Sequence, residues 1–143
     1  MAHDQALPSW MRNALLATAA MNILAAVAFL PPAHGLRALA GFPEAEHPLY
    51  LIVVALFVLL FGLAYLGYAL RGHADRLFIA LAAAGKLAFF ALLVAFWAAG
   101  ALPVQAPLSA TGDLVFSGLF FAWLYGTPAT FSADTAALRR ARG

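Results

Sequence analysis

Residues 77–101 read LFIALAAAGKLAFFALLVAFWAAGA, about 25 mostly apolar positions with one lysine, Lys86, near the middle. A helix rising about 1.5 Å per residue crosses the roughly 30 Å hydrocarbon core of a bilayer in that length. A charge held so deep is costly to expose to lipid, so it is expected to face protein or water. The rest of the chain reads as three further spans arranged around this one.

Composition supports the same reading. The chain has 143 residues, 65% of them apolar and only 10% charged, with a mean hydropathy of +0.90. Soluble domains carry roughly 25% charged residues, so an integral membrane protein with almost no soluble part is expected. The pI near 9.4 reflects a few arginines without interleaved aromatics, which argues against nucleic acid as a partner. There is no cysteine, which excludes thiolate metal sites, disulfide exchange and cysteine nucleophiles. No motif names a cofactor.

The first apolar run, Asn13–Leu30, follows a short polar start. Trp10 and Arg12 stand at its edge as headgroup-level anchors. A secretory signal is the alternative for such a run, but its single arginine and the poor cleavage site at Pro31-Pro32-Ala33 favour a retained span. Pro31-Pro32 stops the helix, because proline cannot continue the hydrogen-bond ladder. The connection Ala33–Pro48 is expected to carry a short amphipathic piece in the interface and a turn at Phe42-Pro43. The second span is Leu49–Leu70. Its Ala55, Gly62 and Ala69 recur every seven residues, a spacing that lets a neighbouring backbone come close.

Leu77–Ala101 is the third span. Ala80, Ala84, Ala88, Ala91, Ala95 and Ala98 form a stripe of small side chains on it. At about 100° per residue, Lys86 points away from that stripe, on a face with Ile79, Ala82, Phe90, Leu93 and Trp97. The fourth span is expected over Leu108–Tyr125, with Ser109, Asp113 and Ser117 aligned at i, i+4 and i+8. A tail over Ala129–Gly143 is expected to lie on the membrane surface. Arg12, Arg71, Arg76, Arg139, Arg140 and Arg142 fall on one side and Arg37 alone on the other, which places both termini in the cytoplasm by the positive-inside rule.

The expected fold is therefore an all-α, four-transmembrane-helix bundle, antiparallel and up-down-up-down, in the bacterial inner membrane. Residues 1–143 form one domain, with spans near 13–30, 49–70, 77–101 and 108–125. From the outer edge, Asp113 lies about 6–9 Å deep, Asn22 about 12 Å and Lys86 about 20 Å, at the helical rise. A relay from Lys86 through Asn22 or Ser117 to Asp113 follows. Its plain role is to fix packing. Its sharper role is a ligand site: Lys86 for an anionic or carbonyl head, Asp113 as counter-charge, and Asn22, Thr18 and Ser117 as hydrogen-bonding support. Tyr65 and Trp97 complete this candidate set. Phe89, Phe90, Trp97, Phe116 and Phe120 would surround an apolar tail. A weaker possibility is an outward metal site from His34, Glu44, Glu46 and His47.

Five elements resemble a diffuse group of small bacterial four-span membrane proteins of unassigned function. They are Asn22 in the first span, Gly67-Tyr68 late in the second, Asp75-Arg76 in the turn, Gly85-Lys86 in the third and Asp113 in the fourth. The group often has Asn before that aspartate, whereas Gly112 stands here. The resemblance implies that the Lys86/Asp113 centre matters and implies no activity.

The function expected on these grounds is non-enzymatic: binding or carrying a small amphipathic or lipid-like molecule, with membrane lipids as partners. Two alternatives stay open. One is a lipid-modifying enzyme whose interfacial site combines the outer-loop residues with Asp113. The other is a structural subunit, in which the alanine stripe docks a second copy or a partner membrane protein.

Overall fold

The computed structural model describes residues 5–126, and these are mostly helical. Met1–Asp4 and the expected tail Ala129–Gly143, with its three arginines, lie outside the described residues. Three helices are long and apolar enough to cross a membrane: α1 (Ser9–Ala28), α3 (Pro48–Arg71) and α4 (Arg76–Ala98). Between α1 and α3 stand a 3-10 turn at Pro31–Ala33 and the short helix α2 (His34–Leu39). The chain returns from α4 through α5 (Gln105–Ser109) into α6 (Thr111–Gly126).

The fourth apolar segment thus differs from the single helix expected over 108–125. It breaks at Ala110, and α6 has 16 residues. At the break the ladder tightens to i→i+3 bonds, Ala110 N–H to the Pro107 carbonyl at 3.2 Å and Asp113 N–H to the Ala110 carbonyl at 2.9 Å. The Ser109 and Thr111 hydroxyls donate to the Ala106 and Leu108 carbonyls, competing with a regular helix. In contrast, α1 begins four residues before the expected edge, because Pro8 in an extended conformation sits well at a helix N-terminus. Trp10 and Arg12 therefore lie inside the helix.

Two short strands tie one end of the bundle, called here the strand end. β1 (Gln5–Ala6) pairs antiparallel with β2 (His73–Ala74) in the α3–α4 turn. The α3–α4 reversal is possible because Gly72 takes φ +71°, a left-handed conformation that glycine adopts without a Cβ clash. Asp75 then caps α4, accepting the Phe78 N–H at 2.8 Å. The opposite end, the loop end, carries residues 29–48 and 99–110.

Around the bundle, α3 packs on α1, α1 touches α6, and α6 packs on α4. The α1–α3 seam is built on the heptad of small residues: Ala55, Gly62 and Ala69 are all buried. A Cβ at Gly62 would stand 3.2 Å from the Asn22 Cβ and 3.4 Å from the Ala19 carbonyl oxygen. α3 and α4 follow one another in sequence yet their backbones barely approach. Aromatic rings bridge them only near the strand end, where Phe78 meets Tyr68 at 4.7 Å and Tyr65 at 5.5 Å between centroids.

Arginines close three helix C-termini. Pro32 cannot donate the N–H that would reach the Ala28 carbonyl. Arg37 takes that place, donating to the carbonyls of Ala28 (3.2 Å), Leu30 (2.6 Å) and Pro31 (3.3 Å). Arg12 donates to Ala69 O at 3.0 Å, at the end of α3. Arg76 donates to Leu124 O at 2.7 Å, at the end of α6. Each cation meets the negative pole of a helix and a carbonyl of its last turn.

The small-residue seam makes a paired prediction. Gly62→Leu should drive α1 from α3 and lower stability by about 1–3 kcal/mol, the usual range for overpacking. Gly67, whose Cβ would meet nothing within 4 Å, should accept alanine with no loss, since helical glycine is about 0.5–1 kcal/mol worse than alanine. Thermal unfolding of both variants in detergent checks the contrast.

Candidate functional site

Lys86 lies on the buried face of α4 with Ile79, Ala82, Ala83 and Leu93. Its side chain is 7% exposed, and its ammonium stands 2.5 Å from Asp113 Oδ1. It also donates to Asn22 Oδ1 at 3.2 Å. Asn22 in turn donates through Nδ2 to the Val58 carbonyl of α3 at 3.3 Å. Residues from α1, α3, α4 and α6 thus meet at one polar node. Asp113 sits in the first turn of α6, where the helix dipole favours a carboxylate. The Tyr65 ring closes the node from α3, with its centroid 5.7 Å from Lys86 Nζ. That distance is within cation–π range.

Two valences of the node remain open. Lys86 has three N–H donors and uses two of them, on Asp113 and Asn22. Asp113 Oδ2 has no hydrogen-bond partner among the described residues, and the side chain is 19% exposed. Both groups border the same space.

That space is a cavity of about 570 Å³. Its wall takes Met21 and Asn22 from α1, Phe29 just beyond it, Phe57, Phe61 and Tyr65 from α3, Leu81, Gly85, Lys86 and Phe89 from α4, and Asp113 from α6. At the strand end it is closed by the Tyr65–Phe78–Tyr68 rings. At the loop end Phe42 covers it, stacked on Phe89 at 6.5 Å and packed on Phe29 at 5.5 Å. Its open side is the gap between α3 and α4, where Phe57, Phe61, Leu81 and Phe89 are exposed. Gly85 has open space where a Cβ would be, and this leaves room beside the ammonium.

Of the residues singled out from sequence, Lys86, Asp113, Asn22 and Tyr65 come together. The other three do not join them. Ser117 donates to the Ala83 carbonyl at 2.8 Å, so it ties α6 to α4 and takes no part in a relay from Lys86. Thr18 is fully buried, its hydroxyl has no hydrogen-bond partner among the described residues, and it is not in the cavity wall. Trp97 shares the Lys86 face of α4 but lies about 16 Å along the axis by the helical rise. It is 45% exposed and is not in the cavity wall. Of the expected aromatic lining, Phe89 is in the wall. Phe90 packs in a small loop-end cluster with Leu93, and Phe116 and Phe120 pack inside the bundle.

The outer-loop residues do not converge on a metal. Glu44 reaches Arg37 at 3.6 Å, and His47 Nδ1 accepts the Leu49 N–H at 3.1 Å, capping α3. No group of three His, Asp or Glu side chains stands in ligating reach among the described residues. What sequence reasoning missed is Arg37, read as a lone interfacial charge and found 3% exposed at the rim of the cavity. A signal was present: an arginine just beyond a Pro-Pro helix stop faces carbonyls that need a donor.

The Lys86–Asp113 pair predicts a coupled response. Lys86→Met leaves the carboxylate uncompensated and should cost about 3–5 kcal/mol. Lys86→Met with Asp113→Leu removes both charges and should cost clearly less than the single change. Chemical denaturation in detergent tests this, and simple addition of the two single effects would show that the groups are not coupled.

Comparison of the chain with protein-family models, with curated proteins and with solved structures gives no match, so a functional reading rests on the geometry of this site.

Proposed function

We propose that this chain binds or carries a small amphipathic or lipid-like molecule in the bacterial inner membrane, with four spans and both termini cytoplasmic. The observation that carries the reading is the side-open cavity with the Lys86–Asp113–Asn22 node in its wall. Its 570 Å³ falls within the roughly 300–1,000 Å³ of small-molecule sites. The wall is mostly apolar with a few convergent polar groups, the pattern of a site that holds a tail and orients a head. The gap between α3 and α4 would face the acyl chains, so a lipid-soluble molecule would reach the node sideways, without crossing water.

The four-span arrangement is supported by the return of α5 and α6 alongside α4, ending where Arg76 meets Leu124. α6 alone spans about 24 Å at the helical rise, and α5 extends it towards the loop end. Orientation is supported by the arginine asymmetry of the sequence. Lys86 would meet the head, Asp113 would balance its charge, and Asn22 would hold the ammonium in place. A lipid-modifying site gains no support, since His34, Glu44, Glu46 and His47 do not assemble with Asp113. A structural role retains one observation in its favour. Ala84, Ala88, Ala91, Ala95 and Ala98 face outward, so the stripe is free to meet a second copy or a partner helix.

The test is native mass spectrometry with extraction of bound small molecules. Wild type should carry a defined, non-bulk ligand, and Lys86→Met with Asp113→Leu should lose it while remaining folded. Bulk lipid alone on both proteins would sink the binding reading and move attention to the alanine stripe.

A further inference from the structure

The charges around the cavity cancel in pairs. At its deep wall the Lys86 ammonium is neutralised by Asp113 at 2.5 Å. At the loop end the Arg37 guanidinium is held by three backbone carbonyls and by Glu44 at 3.6 Å. The remaining wall is apolar apart from Asn22, Tyr65 and Ser109, and Ser109 donates its hydroxyl proton to Ala106 O at 2.8 Å. A charged head entering this space would bring a net charge into a medium that solvates it poorly. It would also meet an opposite and a like charge together at the node.

At the loop end the buried Arg37 Nε has no hydrogen-bond partner among the described residues, but the open valences of the node ask for something else. One is a donor, the third N–H of Lys86, and one is an acceptor, Asp113 Oδ2. They belong to two groups in direct contact, so they are offered side by side. The head that satisfies both accepts from the ammonium and donates to the carboxylate while carrying no charge. A hydroxyl or a vicinal diol on an alkyl chain has that chemistry, whereas a carboxylate has no proton for Asp113 and an alkylammonium has no lone pair for Lys86.

We infer that the cavity selects amphiphiles with an uncharged hydroxyl head over fatty carboxylates and alkylammonium ions, the Lys86–Asp113 pair acting as a charge-neutral clamp. This rests on the proposed binding function and names the class of ligand for the same site. It also makes the selectivity switchable. Asp113→Asn keeps a hydrogen-bond acceptor for Lys86 but leaves the node with a net positive charge, and a carboxylate head would then supply the missing anion.

The experiment measures binding of three probes with one chain length, monolauroylglycerol, laurate and dodecylammonium, to detergent-solubilised wild type and Asp113→Asn. The pH is held between the carboxylate and amine ranges so that both ionic probes are charged. Wild type should bind the glycerol ester at least about tenfold more tightly than either ion, given the penalty for an unpaired buried charge. Asp113→Asn should gain at least about tenfold for laurate by the same argument. Equal affinity of wild type for all three, or a preference for an ion, overturns the head selectivity while leaving the cavity as a binding site. Laurate affinity unchanged in a folded Asp113→Asn protein overturns the clamp. Should that variant not fold, the wild-type ranking decides alone. Binding of none of the probes to wild type would overturn both this inference and the binding function.

Discussion

An ammonium and a carboxylate in direct contact inside an apolar bundle constrain everything around them. Separated, each would carry a desolvation penalty of several kcal/mol. Held together they need the helices that bear them to lie in one register. The contacts between α4 and α6 show that register. Lys86 meets Asp113, Ala83 three residues back meets Ser117 four residues on, and Arg76 ten residues back meets Leu124 eleven residues on. Steps along one helix are matched by opposite steps along the other, so the two run antiparallel and straight for the whole overlap. Asn22 extends the constraint to α1 and, through the Val58 carbonyl, to α3. A pair of this kind is weak as a source of net stability but effective in specifying one arrangement among many.

The same accounting governs the helix ends. Apolar surroundings give orphan carbonyls no water to bond with, and each unsatisfied group costs free energy. Arginine suits these places better than lysine, since its planar fork offers several donors at fixed angles and keeps its charge. Arg37 uses one such fork on three consecutive or near-consecutive carbonyls. The arginines that mark topology in the sequence therefore also hold one element to another. Arg12 joins α1 to α3, and Arg76 joins the start of α4 to the end of α6.

Much of the fold and part of the site were legible in the sequence, for specific reasons. Apolar length is a direct physical demand of a bilayer, so α1, α3 and α4 could be placed within a few residues. The heptad of Ala55, Gly62 and Ala69 could be read as a packing seam because close backbone approach requires small side chains. Lys86, Asn22 and Asp113 could be grouped because a lone charge at such depth needs partners. Ser117 and Thr18 could not be assigned. A hydroxyl in a helix finds a nearby carbonyl as readily as a distant ammonium, and spacing does not distinguish the two. Trp97 stands apart for another reason: helical phase tells which face a residue is on, not how far along the axis a site extends. The break at Ala110 was hidden because an apolar run looks the same whether or not hydroxyl side chains take up carbonyls of its ladder.

The cavity itself is a consequence of how the packing faces are used. α3 commits its small residues to α1, and α4 commits its Lys86 face to α6. The Val54, Phe57 and Phe61 side of α3 and the Leu81, Gly85 and Phe89 side of α4 are then left opposite one another. Large rings on one side and a glycine on the other do not interlock, so ridges and grooves give no continuous contact there. Where rings do interlock, at Tyr65, Tyr68 and Phe78, the gap is shut. A bundle needing only stability would gain by closing the whole length, since filling a void recovers dispersion contacts as well as buried area. In this chain the opening coincides with the one place where a buried ion pair still has a donor and an acceptor to offer. The gap and the unsatisfied node have separate causes in the sequence, and their coincidence is the strongest support for the proposed binding role.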